Sequence, residues 1–149
     1  MDAATSIGAV HAKPDVTLEV RSAATSTLIP TIRTVAADLA ARADFDLDAI
    51  ADLRMAVDEV CATLIGVASP ESKLTCTFTV MPDRIEVDVT IPLPAGSPSR
   101  GAMIATDTFG WRVLQTLADK VLVVQLPGSD GGPDQIGIRL DKRAVTDSR

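Results

Sequence analysis

Tyrosine is absent, and three Phe and one Trp are the only aromatic residues among 149. A core built from this chain is therefore aliphatic, and stacking platforms for single-stranded nucleic acid are scarce. Basic residues are outnumbered, 14 Lys and Arg against 20 Asp and Glu, for a net charge of −6. Affinity for DNA or RNA rests largely on neutralising phosphates, so the missing basic footprint argues against direct nucleic-acid binding. His11 is the only histidine. That leaves too few ligands for a zinc site and removes Ser-His-Asp and Cys-His catalysis from the fold. Cys61 and Cys76 form no C-x-x-C pair and read as two reduced core thiols of a reducing cytosol. No run of about 18 apolar residues occurs, so no membrane span is expected. Met1–Thr5 lacks the charged and then apolar pattern of a secretory signal. The expectation is a cytoplasmic protein.

What is present is a regular alternation of elements. Residues 1–15 are small and polar and are expected to form a flexible arm, as are 144–149 at the other end; 16–143 are expected to form one domain. Val16–Arg21 alternates as a strand. A helix follows, capped by Ser26 or Thr27, with Pro30 in its first turn and Ile29, Ile32, Val35 (or Ala36) and Leu39 on one stripe. Asp46 is a good N-cap for a longer helix running to about Val67, whose stripe is Ile50, Leu53, Val57, Val60, Cys61 and Leu64. Leu74–Met81 and Ile85–Ile91 alternate about Pro82-Asp83 and read as a hairpin. Pro92–Asp107 is a long loop of the kind that often serves as a lid or binding loop. A short helix over Trp111–Ala118 and a second hairpin, Val121–Leu126 with Gln135–Leu140, complete the order. Hairpins with helices clustered between them indicate an α+β two-layer sandwich, a mixed and mainly antiparallel sheet covered on one face by helices.

On a helical projection Asp52, Glu59 and Thr63 fall together, opposite the apolar stripe of the long helix. Glu59 and Thr63 are four apart and adjacent. Polar residues opposite an apolar stripe are what any surface helix shows, so periodicity alone assigns them no chemistry.

The wording of the segment adds more. Asp52-Leu-Arg-Met-Ala-Val-Asp-Glu-Val-Cys-Ala-Thr-Leu-Ile resembles the N-box helix of the Bergerat (GHKL) superfamily, above all its serine-kinase anti-sigma branch, the RsbW/SpoIIAB family. Thr108-Phe-Gly-Trp-Arg-Val-Leu-Gln-Thr-Leu-Ala-Asp-Lys-Val is similar to that family's passage from a glycine-rich lid into a helix and strand. Order and spacing agree over roughly Val16–Leu140, and the likeness is greatest to the degenerate stress- and sporulation-type anti-sigma factors of actinobacteria.

The resemblance implies a Bergerat-type fold, ATP with Mg²⁺ as cofactor, and roles for particular residues. Glu59 holds the position of the general base, work a well-placed carboxylate can do. Thr63 stands where the family places a Mg²⁺-binding asparagine, and offers a single weaker oxygen ligand. Gly101, Thr106, Thr108 and Gly110 correspond to the lid, where a helix N-terminus can meet phosphate. The family's adenine-reading Asp-x-Gly-x-Gly has no counterpart: Thr90-Ile-Pro-Leu-Pro-Ala-Gly-Ser occupies its place, and Asp88 lies earlier, within the strand. Arg33, on the first helix, approximates a basic residue that the family uses against partners. The implied function is an anti-sigma factor that sequesters an alternative sigma factor, as a homodimer, until an anti-anti-sigma (STAS-type) antagonist competes. An ATP-dependent protein-serine kinase acting on that antagonist is the alternative. A sensor whose Pro92–Asp107 loop encloses a ligand without catalysis is a third reading.

Overall fold

The computed structural model describes residues 16–94 and 104–145. The strands are β1 (Val16–Ala23), β2 (Lys73–Val80), β3 (Arg84–Pro92), β4 (Lys120–Leu126) and β5 (Gln135–Arg143). The helices are α1 (Ile29–Arg42), α2 (Leu47–Val67) and α3 (Phe109–Leu117). The arm at 1–15 and the tail from 146 lie outside the described residues.

α1 begins differently from the expected Ser26 or Thr27 cap. A 3₁₀ turn over Ser26–Leu28 leads straight into it, and Leu28 takes the cap position without a side-chain bond. Pro30 still sits in the first turn, where its missing N–H costs nothing. α2 starts as expected: the Asp46 carboxylate accepts the N–H of Ala49 at 2.8 Å, which satisfies one of the first-turn donors. Thr108 does the same for α3, accepting from Trp111 at 3.1 Å.

The five strands lie in the order β1-β2-β3-β5-β4, and each of the four pairings is antiparallel. The mixed pairing expected from the sequence is not found among the described strands. β3 and β4 are parallel to each other across the α3 connection, but β5 is inserted between them, so no parallel pair is hydrogen-bonded among the described strands. Gly137 makes this insertion possible at close range, since a β-carbon there would collide with the Val89 carbonyl oxygen.

Alternation along the strands turns one side of the sheet to the helices. Cys76 pairs with Val89 and Val89 with Ile138, so a row of apolar side chains crosses the sheet. Phe78, Leu74, Ile85, Ile136, Ile138 and Leu140 are at most 1% exposed and pack with Ile32, Leu53, Leu64 and Leu114 from the helices. Each such side chain contributes roughly 1.5–3 kcal/mol by leaving water. Cys61 and Cys76 are both buried in this layer with free thiols, and burial pushes the Cys61 thiol up to about 12 and that of Cys76 higher still. No helix among the described residues is long and apolar enough to cross a membrane.

Candidate functional site

The opposite face of the sheet carries Glu19, Arg21, Thr75, Thr77 and Asp88, which border a concavity of about 470 Å³. Asp88 is committed there: Arg139 reaches across from β5 and donates from Nε and Nη2 at 2.7 and 2.9 Å. Glu86 lies 3.2 Å from the same guanidinium, and its partial burial raises its carboxyl above the ordinary range against the pull of Arg139. The sheet separates all of this from Glu59. Asp88 therefore cannot stand in for the missing adenine-reading acid, and the size of this concavity does not make it the nucleotide site.

The row Asp52, Glu59 and Thr63 is not the solvated face that the helical projection suggests. Ala56, in the same row, is 1% exposed. It belongs to the buried core between the helices and the sheet. Towards one end of the row Glu59 lies against α3: a β-carbon at Gly110 would sit 2.5 Å from Glu59 Oε2 and 3.1 Å from its carboxyl carbon. Any larger residue at 110 would therefore push the end of the Glu59 side chain aside. At the other end Lys142 of β5, its side chain 13% exposed, donates to Asp52 at 3.2 Å and to the Leu117 carbonyl at 2.9 Å.

The Thr63 hydroxyl donates to the carbonyl of Glu59 one turn back at 2.8 Å, with Glu59 Oε2 at a long 3.3 Å. A hydroxyl has one hydrogen, and the shorter bond holds it. Mg²⁺ takes six oxygens in near-octahedral array, usually one or two carboxylates with water and phosphate. The described residues at this place offer the Glu59 carboxylate, turned towards the α3 backbone, and one hydroxyl bonded within its own helix. They supply the position of a catalytic carboxylate and one hydroxyl already bonded within its helix.

Of the expected site residues, Glu59, Thr63, Thr108 and Gly110 are brought together where α2 meets the start of α3. Thr106 is exposed in the segment leading to that helix. Gly101 lies outside the described residues. Arg33 is elsewhere, on the α1 side of α2, where its Nη1 donates to Asp58 Oδ2 at 3.0 Å. Both side chains are one-third exposed, and Asp58 Oδ1 is buried without a hydrogen-bond partner. Arg54 and Met55 border the same shallow groove.

Residues 22–133 match the family model described as a histidine kinase-like ATPase domain. The anti-sigma-F factor RsbW of Mycobacterium tuberculosis, from strain CDC 1551 / Oshkosh and from strain ATCC 25618 / H37Rv, is 32% identical over 123 residues. That span covers 79% of this chain and 68% of the relative. The chain belongs to the histidine kinase-like ATPase family, in its RsbW-like branch.

In this RsbW-like domain, α2 is a single helix with two working sides. Asp58 faces α1 and its arginine, while Glu59, the next residue, faces α3 and its glycine. Sequence reasoning found Glu59 and Arg33 but missed Asp58 and Lys142. Asp58 was hidden because its partner lies 25 residues away on another helix. Lys142 was hidden because the second strand of the last hairpin was expected to end at Leu140. The alternation Leu140, Asp141, Lys142 was a usable signal for it.

Proposed function

We propose that the chain is an anti-sigma factor that holds an alternative, stress- or sporulation-type sigma factor away from transcription, working as a homodimer in the cytoplasm. A STAS-type anti-anti-sigma protein that competes for an overlapping surface releases it. The likeness to anti-sigma-F factor RsbW over most of the chain carries this reading. The pairing of Arg33 with Asp58 in the groove between α1 and α2 is consistent with a protein-facing surface there. The test is mixing the purified protein with each stress-type sigma factor of its source and following complex formation by size-exclusion chromatography and calorimetry. A stable complex with one of them is expected, and failure with every one would overturn the proposal.

The retained Glu59 on an ATPase-type domain favours one further reading, protein-serine kinase activity towards the antagonist. Incubation with ATP, Mg²⁺ and the antagonist, read by intact mass, decides it. A gain of one phosphate that Glu59→Ala abolishes would establish the kinase. No transfer, together with tight sigma binding, leaves protein competition as the control.

A further inference from the structure

We propose that Glu59 is a built-in anion for α3: a positioning residue whose carboxylate holds the first turn of that helix shut against α2, in the place where a ligand phosphate would meet its amides. The peptide dipoles of a helix leave about half a positive charge at its N-terminus and half a negative charge at its C-terminus. α3 supplies neither complement itself, having no acidic residue in its first turn and no basic residue in its last. Both come from outside. Glu59 of α2 lies beside Gly110 at the positive end. Lys142 of β5 donates to the Leu117 carbonyl at the negative end and is held there by Asp52.

The spacings fit. Asp52 and Glu59 are seven residues apart on α2, and Gly110 and Leu117 are seven apart on α3. At about 1.5 Å per residue both intervals span roughly 10.5 Å. The helices therefore run antiparallel with their charged ends in register, and buried Ala56 lies between. Thr108 satisfies the amide of Trp111, and the Glu59 carboxylate, which accepts no hydrogen bond from another first-turn amide among the described residues, acts on the positive end of α3 through its charge. An incoming phosphate meets a negative charge already in position and must displace it.

This inference is independent of sigma binding, because its readouts are stability and anion binding rather than complex formation. Thermal melts compare the wild type with Glu59→Gln, Glu59→Ala, Gly110→Ala and the double variant Glu59→Ala/Gly110→Ala, at roughly 20 mM and 1 M salt. Glu59→Gln keeps the shape and removes the charge. Its melting temperature is expected to fall by about 1–4 °C at low salt, and most of that loss should vanish at high salt, where screening acts within about 3 Å. Gly110→Ala should be less favourable to the melting temperature of the wild type than to that of Glu59→Ala, because in the latter the methyl meets no carboxylate. Inorganic pyrophosphate should raise the melting temperature of Glu59→Gln more than that of the wild type. Three results overturn the proposal: a Glu59→Gln effect that is absent or indifferent to salt, equal Gly110→Ala effects in both backgrounds, or equal pyrophosphate shifts.

Discussion

Replacing Arg33 by Met asks whether the α1–α2 groove is held by charge, and whether partners read that charge directly. The substitution keeps the apolar stem and removes the guanidinium. Arg33 and Asp58 meet at 3.0 Å with one-third of each side chain exposed, between the regime of surface pairs, worth about 0–1 kcal/mol, and that of buried pairs, where loss of one partner costs about 3–5 kcal/mol. Asp58 Oδ1 is already buried without a hydrogen-bond partner, so the abandoned carboxylate cannot simply rehydrate at both oxygens. A loss of about 1–2 kcal/mol follows, which for a domain of this size corresponds to roughly 2–8 °C in Tm. Urea melts should show a lower midpoint at unchanged slope. Asp58→Asn in the Arg33→Met background removes the stranded charge and should recover much of the loss, a non-additivity expected of residues in contact. Arg33→Met within about 0.3 kcal/mol of wild type, or a double variant no better than the single, would refute the reasoning. The double variant also separates two roles. If it is stable but fails to bind sigma factor, partners contact the guanidinium; if it binds normally, Arg33 acts by holding α1 to α2.

Three further outcomes follow from the same structure. Asp46→Ala strips the cap from a 21-residue helix and should cost about 1 kcal/mol, with little change for Asp46→Asn; a chemical melt of the three proteins checks it. Lys142→Met removes the donor to the Leu117 carbonyl and the partner of Asp52, and should cost about 1–2 kcal/mol while exposing α3 amides to hydrogen exchange before those of β3. For the buried thiols the sign is fixed by the raised values. The folded state keeps protons that the unfolded chain releases above the ordinary value near 9. Their contribution is therefore complete below pH 9 and is lost as pH rises towards about 12. The slope approaches 1.4 kcal/mol per pH unit for each thiol, and Cys61→Ala should flatten it.

Local chemistry made much of the fold legible. The Asp46 cap, the α2 stripe and the alternation of β2 and β3 each rest on neighbours within a turn or a hairpin, and these elements appear within a residue or two of where they were expected. The start of α1 was less legible, because Ser26 and Thr27 satisfy cap statistics while the backbone turns 3₁₀ instead. The site was legible as a list and not as an arrangement. A helical projection assigns Asp52, Glu59 and Thr63 to one side, but it cannot say that α3 arrives there, since that contact joins residues some fifty apart in sequence. Asp88 shows the opposite case. It lies near the missing adenine-reading motif in sequence, but its place within β3 set it aside at once, and the strand's alternation puts it on the face away from Glu59.

The insertion of β5 between β3 and β4 has a consequence for how the chain is made. Synthesis delivers β5, an interior strand of the sheet, after every other described element. Until Arg139 emerges, Asp88 and Glu86 stand on an open strand edge without their cation, and Asp52 waits for Lys142. A nascent chain can form the helical hairpin of α1 and α2 and the hairpin of β2 and β3 early, from near neighbours. It cannot fasten α3 at either the sheet or its carboxyl end until the last strand leaves the ribosome. Interactions across such long stretches of sequence form slowly, so the half-made protein exposes its β3 edge for longest, and the charges along that edge guard it from pairing with another chain meanwhile.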